Sequence, residues 1–387
     1  GILMVGGLVV VLVLRPAIAG TLGVIAAILL MIMLHELGHF VMAKRAGMKV
    51  TEFFLGFGPR VWSFRRGETE YGVKALPLGG YVRIIGMTNL EVVAPEDENR
   101  AYRSKSYRQR LGVAVAGSTV HFIVAGLLLF VTLSFVGVPT GVRPVLAEIR
   151  PDSPAERAGL QVGDKVVELD GQEVQDWGRI QEAVATHPAE EVVFTVERQG
   201  QRVEVPVVPE PITREGQRIG LIGVGPEQFS VKESPPKAAV SAVSGVGRGM
   251  RDAVVGLGSF FGPSGLKRYG AVVTGGDSDD QNRLLSPAGA ARYAGFAADA
   301  GWWAVLSFLV AINIFVGVFN MVPLLPLDGG HVAIATYEKI ASSIKKRPVR
   351  VNVAKIMPIT ATVVVVLVLL GISALYLDIK NPLPNPF

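Results

Sequence analysis

Residues 28–43 read ILLMIMLHELGHFVMA, and the ionisable residues inside this apolar run constrain the chain more than any other feature. On a helix of 3.6 residues per turn, His35 and His39 share a face one turn apart. Two imidazoles at that spacing can grip one zinc ion, and Glu36 projects beside them, placed to take a proton from a water molecule. Burying two histidines and a glutamate in a hydrocarbon-spanning helix is costly, so ionisable residues there mark function. The competing reading is an amphipathic helix end whose polar residues sit at the membrane surface.

Composition favours the membrane. The chain has 387 residues, half of them hydrophobic, with a mean hydropathy of +0.41, too apolar for an ordinary soluble protein. Its 45 Gly, 24 Pro and 18% charged residues also require a sizeable aqueous part. There is no Cys, which excludes disulfides, thiolate metal sites and a cysteine nucleophile. The net charge of +5 does not indicate nucleic-acid binding, because the basic residues cluster beside apolar spans. A zinc site must draw on carboxylates and on His35, His39, His121, His187 and His331, the five histidines of the sequence.

Residues 1–16 form a partial apolar segment that stops at Arg15-Pro16. Its apolar part, 1–14, is shorter than the roughly 20 residues a span needs, and reads either as the end of an extra span or as the apolar core of a leader. Residues 17–138 read as a membrane half. It holds a first span over 17–42, a β-hairpin region over 51–87 turning at Gly67, a polar loop over 89–110 and a second span over 111–138. The hairpin reads either as a surface element or as one dipping into the membrane beside the zinc, where its edge can pair with an extended substrate. Ala114, Ala116, Gly117 and Ser118 allow close helix packing in the second span. His121 there either bonds a neighbouring helix or has a supporting or gating role near the metal.

Residues 139–225 run strand, short helix, strand, turn, helix, strands, and 226–301 read as a linker with an interfacial helix and a Gly/Ser/Asp-rich loop over 262–288. Residues 302–387 form a second membrane half, with a span over 302–321, a proline-broken stretch from Asn320 through Pro323 to Leu327-Asp328-Gly329, and a last span over 357–377. Asp328 is the natural third metal ligand. Basic residues crowd the 44–110 and 339–355 loops, which places those loops in the cytoplasm, with residues 139–301 outside and HELGH and Asp328 near the cytoplasmic face.

These residues resemble the site-2 protease family of intramembrane zinc metalloproteases, in particular bacterial members with one PDZ domain. The resemblance rests on HELGH at 35–39, Gly56-Phe57-Gly58-Pro59, Pro77-Leu78-Gly79-Gly80-Tyr81, and Asn320…Pro323…Leu327-Asp328-Gly329. It rests also on PDZ-like landmarks of the circularly permuted bacterial type: Ser153-Pro154-Ala155, Ala158-Gly159-Leu160, Gly163-Asp164 and Asp170-Gly171. It implies a polytopic α-helical membrane protein with a membrane-associated β-hairpin and an inserted extracytoplasmic PDZ domain of α+β type. It also implies that Zn2+ is held by His35, His39 and Asp328, that Glu36 is the catalytic base, and that Asn320, Pro323, Gly79, Gly80 and Tyr81 hold substrate. The expected partners are the lipid bilayer of the bacterial inner (plasma) membrane and a single-pass membrane protein pre-trimmed by a site-1 protease, such as an anti-sigma factor or a signal-peptide remnant. The PDZ groove is expected to take a peptide C-terminus or to exclude bulky substrates. One departure stands out: where the family often carries Ala-Gly-Pro…Asn in the second span, this chain reads Ala116-Gly117-Ser118-Thr119-Val120-His121. The competing functions are an inactive PDZ-bearing membrane scaffold and a zinc transporter.

Overall fold

The long apolar runs set the architecture, because each must satisfy its backbone internally and bury its small-residue faces. In the computed structural model, residues 16–88, 90–214, 217–275 and 283–383 are described; the apolar segment 1–14 lies outside them. Among the described residues, four helices are long and apolar enough to cross a membrane: Leu22–Arg45, Tyr107–Val136, Trp302–Asn320 and Val353–Lys380. The chain is a polytopic membrane protein with a separate sheet-rich unit. It divides into a mainly helical unit, Gly1–Ser134 with Ser234–Phe387, and a unit Phe135–Glu233.

In the helical unit, α1 (Pro16–Arg45) carries HELGH near its C-terminal end. Strands β1 (Val50–Arg66) and β2 (Thr69–Ile84) follow. Their pairing is not a simple ladder: Val50–Leu55 pairs with Gly80–Ile84, Glu52–Leu55 also pairs with Glu70–Val73, and Arg60–Arg66 pairs with Thr69–Lys74. Gly56 makes this folding possible. Its φ of 86° is left-handed, and a Cβ there would meet the Leu76 carbonyl oxygen at 2.7 Å. The segment Gly80–Ile84 pairs with Val50–Leu55 alone among the described residues, so it forms an edge of this small sheet.

Helix α2 (Tyr107–Val131) starts on a capping box, in which the Ser106 side chain accepts from the Gln109 amide and Gln109 answers the Ser106 backbone. It packs tightly on α1, since a Cβ at Gly38 would lie 2.9 Å from the Ala116 carbonyl oxygen.

The sheet-rich unit has strands β3 (Val138–Ile149), β4 (Lys165–Leu169), β5 (Gln172–Glu173), β6 (Val192–Arg198), β7 (Gln201–Val207), β8 (Glu210–Arg214), β9 (Gln217–Leu221) and β10 (Val224–Val231). Its main sheet has the order β10-β3-β4-β6-β7, with β5 on β4, while β8 and β9 pair separately. Two helices cover it, α3 (Pro154–Ala158) and α4 (Trp177–Thr186). Ser153 and Asp176 cap their N-termini, and Gly159 closes α3 at a left-handed φ of 87°. Leu146, Val166, Phe194, Val196 and Ile180 make a dry core. Beside it, buried Asp164 takes two hydrogen bonds from the Arg198 guanidinium at 2.7–2.8 Å.

Residues 235–300 form three helices of the helical unit: α5 (Pro235–Phe261), α6 (Pro263–Val273) and α7 (Pro287–Ala300). The small residues of α5 press it into the bundle. A Cβ at Gly245 would lie 2.7 Å from Leu129 Cδ2, and one at Gly249 would lie 2.7 Å from Ile314 Cδ1. The stretch 262–288, expected to be a loop from its Gly/Ser/Asp content, holds α6. Pro263 starts that helix, and Tyr269 and Val272 bury themselves against Leu377. Three helices complete the unit: α8 (Trp302–Asn320), α9 (Asp328–Lys345) and α10 (Val353–Lys380).

Candidate metal centre

Two chain segments far apart in sequence converge on one point. His35 and His39 face inward from α1, each 7% exposed. Asp328 arrives as the first residue of α9, where a carboxylate is also favoured by the helix dipole. Its position is fixed by the two glycines that follow. A Cβ at Gly329 would sit 2.3 Å from the Met321 carbonyl oxygen, and one at Gly330 would sit 2.6 Å from the Leu325 amide nitrogen. The 321–327 loop therefore lies directly on the start of α9, which gives Leu327-Asp328-Gly329-Gly330 a physical reason.

The three donor atoms form a nearly equilateral triangle. His35 Nε2 and His39 Nε2 are 3.1 Å apart, and Asp328 Oδ2 is 3.3 Å from the first and 3.2 Å from the second. Zinc bonds of about 2.0–2.1 Å at tetrahedral angles place neighbouring donors about 3.3–3.4 Å apart. The set is one that could hold a metal ion. Two further observations fit that use. His39 Nδ1 lies 2.7 Å from the Val113 carbonyl oxygen, which can only accept; Nδ1 therefore donates, and in the neutral imidazole Nε2 keeps its lone pair for a metal. Asp328 Oδ2 and His35 Nδ1 are buried with no hydrogen-bond partner among the described residues. A lone pair and a carboxylate oxygen turned toward each other in a buried site repel unless a proton or a metal cation lies between them, and a metal ion can serve all three donor atoms at once.

Helix α2 presses on this triangle at Gly117. A Cβ there would stand 2.4 Å from His35 Cε1 and 2.5 Å from His39 Nε2. Sequence reading put Gly117 in a stretch suited to helix packing and missed that it faces the histidines. The Val113 carbonyl had no sequence signal at all. One turn along α2 from Gly117, His121 bonds a neighbouring helix, as one of its two expected roles has it, and lies beside His35. Its Nδ1 is 2.8 Å from Asn313 Oδ1 on α8, and its ring centroid is 5.0 Å from that of His35. Asn313, fully buried in an apolar span, was detectable as an isolated polar residue but was not singled out.

Glu36 points beside the triangle toward β2. A Cβ at Gly80 would come within 3.1 Å of Glu36 Cγ, so the edge segment Gly80–Ile84 passes directly over this carboxylate. Gly79 adjoins it, with Phe57 Cε2 2.8 Å from where its Cβ would be. Tyr81 lies flat on Phe54, ring centroids 5.8 Å apart, under the Lys74 ammonium, and its hydroxyl donates to Glu52. Asn320 ends α8 and Pro323 lies in the loop before Asp328; neither belongs to the donor triangle.

The Glu52–Tyr81 bond makes a pH prediction for this sheet. The Tyr81 hydroxyl, with Arg83, holds the Glu52 carboxyl below its ordinary 4.5. Burial, then the bond to Glu52, raises Tyr81 above its ordinary 10.0. The lowered acid contributes stability above its unfolded value and loses it as pH falls through the folded one. The raised phenol contributes below its unfolded value and loses it as pH rises. Amide-exchange protection of Val50–Leu55 is expected to stay level between about pH 4.5 and 10 and to decline outside that window. Tyr81→Phe should weaken the acid limb.

A His–His–carboxylate triangle with a glutamate beside it, in a chain with four helices apolar enough to cross a membrane, defines a membrane protein of the metallopeptidase class. Residues 23–366 match peptidase family M50. The chain belongs to this family, that of the site-2 proteases. It is 34% identical over 397 aligned residues to zinc metalloprotease Rip1 of Mycolicibacterium smegmatis, covering 92% of this chain and 96% of that protein. To zinc metalloprotease Rip1 of Mycobacterium tuberculosis it is 33% identical over 398 residues, with the same coverage. To zinc metalloprotease RasP of Geobacillus kaustophilus it is 28% identical over 386 residues, covering 80% of this chain and 87% of that one.

Proposed function

We propose that this chain is a zinc-dependent protease that cuts peptide bonds within membrane-embedded segments, with His35, His39 and Asp328 as zinc ligands and Glu36 as general base. The observation that carries the reading is the donor triangle with sides of 3.1–3.3 Å. Zinc, when bound, supplies Lewis-acid chemistry, acidifying a water and polarising a carbonyl. The Glu36 carboxylate takes the proton of the attacking water and returns it to the departing amide nitrogen. His39 is held in the right tautomer by the Val113 carbonyl. A helical substrate has its carbonyls engaged in its own hydrogen bonds, so it must unwind before it is cut. The edge Gly80–Ile84, lying over Glu36, supports pairing with the unwound strand, and the neighbouring Gly79, Gly80 and Tyr81 are the residues assigned to it. Asn320 and Pro323 are assigned to the opposite flank, since their loop delivers Asp328.

The same reading takes residues 139–225 as a PDZ domain, supported by the Ser153-capped helix, the Gly159 turn and the strand order of its sheet. The charge distribution supports a bacterial plasma-membrane protein with the active site toward the cytoplasm and the PDZ domain outside. Its substrate is then a single-pass membrane protein trimmed outside by a first protease, an anti-sigma factor or a signal-peptide remnant. The PDZ domain acts as a size filter or as a groove for the new C-terminus. The test is cleavage of one membrane-spanning substrate, offered long and trimmed, by the full chain in lipid nanodiscs. The trimmed form should be cut, a chelator should stop the reaction, and added zinc should restore it. Cleavage that survives full chelation, or equal cleavage of both forms, would count against the reading.

A further inference from the structure

The basic loops beside the apolar spans fold into one cleft. It lies between the start of α2 and the second half of α9, measures about 420 Å³, and is lined by Lys105, Arg110, Lys339, Lys346, Arg347 and Arg350. The acid lining it, Glu338, is already engaged. Its Oε2 accepts from Arg110 at 2.7 Å and Arg350 at 3.3 Å, and its Oε1 accepts from the Val351 amide at 2.8 Å. Lys105, Lys339, Lys346 and Arg347 make no ion pair among the described residues. The positive-inside rule accounts for the sign of these loops, and the end of α9 accounts for Lys346. Neither accounts for Arg110. It is 6% exposed, and its Nε is buried without an acceptor. A buried guanidinium N–H left unpaired is costly, and guanidinium groups match phosphate oxygens in charge and geometry.

We propose that this cleft binds the phosphate of an anionic phospholipid, whose headgroup joins the start of α2 to the end of α9. The position favours a lipid over an acidic protein segment. The span α2 begins at the cleft and the span α10 begins shortly after its Arg350, which sets it at the depth of the lipid phosphates, where basic pockets between helices recruit anionic headgroups. The proposal needs only the membrane location and is independent of the protease reading.

The test is native mass spectrometry of the full zinc-loaded chain released from nanodiscs of phosphatidylcholine with or without phosphatidylglycerol. The wild type is expected to retain phosphatidylglycerol in preference to phosphatidylcholine. The triple variant Lys105→Gln, Lys346→Gln, Arg347→Gln should retain about tenfold less. These side chains lack partners, so the variant should keep its fold, which unchanged zinc content would verify. The control Arg45→Gln, Arg65→Gln, Arg66→Gln removes three exposed charges elsewhere and should retain the lipid as wild type does. No preference in the wild type, or equal loss in variant and control, overturns the proposal. So does binding of a glutamate-rich decapeptide, lost in the triple variant, with no phosphatidylglycerol retention; the occupant would then be an acidic protein segment.

Discussion

Glu36→Gln is expected to keep one zinc per chain and to lose about a thousandfold in cleavage rate, within the range that general-base groups contribute. Glutamine fills the same volume under Gly80, whose Cβ position lies 3.1 Å from Glu36 Cγ, so the sheet edge should stay in place. The amide cannot accept the proton of the attacking water. Metal binding should persist because none of the three donors of the triangle is altered. Zinc content and cleavage rate measured on the same preparation separate the two effects. A variant that loses zinc along with activity would make Glu36 a structural support of the site. A variant with zinc and near-normal rate would remove it from the chemistry.

Gly117→Ala should be nearly as damaging, by another route. One added methyl group would need the space now filled by His35 Cε1 at 2.4 Å and His39 Nε2 at 2.5 Å. Carbon does not approach ring atoms that closely, so either the imidazoles turn away or α2 withdraws from α1. Both break the triangle, and zinc and cleavage should fall together. Gly126→Ala is the control on the same helix, since its nearest neighbour would be Val246 Cγ2 at 3.9 Å, an ordinary contact. That variant should retain zinc and activity. If Gly117→Ala keeps full zinc, the close approach of α2 to the histidines is not a feature of the working site.

These two variants also divide what the sequence discloses from what it conceals. His35, Glu36 and His39 are legible because helical spacing is rigid and because charge in an apolar span needs a reason. Asp328 is legible because prolines break an apolar run immediately before it. Gly117 looks like any small residue in a packed span; its closeness to two imidazoles depends on how α1 and α2 cross, which no local pattern encodes. The Val113 carbonyl, which sets the tautomer of His39, is a backbone group and leaves no side-chain signature. The two long strands were expected as a hairpin turning at Gly67, and they do turn there. Their folding back into several pairings depends on glycine conformations such as that of Gly56. Helix α6 was hidden because its glycines and serine outweigh, in local preference, the burial of Tyr269 and Val272 that holds it. The Arg110–Glu338 pair joins residues 228 positions apart and becomes visible only when α2 and α9 are packed.

The central claim is that two helices far apart in sequence build one metal site, and elemental analysis of Asp328→Ala tests it most directly. The wild type is expected to carry one zinc per chain. The variant, left with the two Nε2 donors of α1 3.1 Å apart and no carboxylate between them and α9, should lose most of it while its helices remain folded by circular dichroism. One zinc per chain in folded Asp328→Ala would contradict the account.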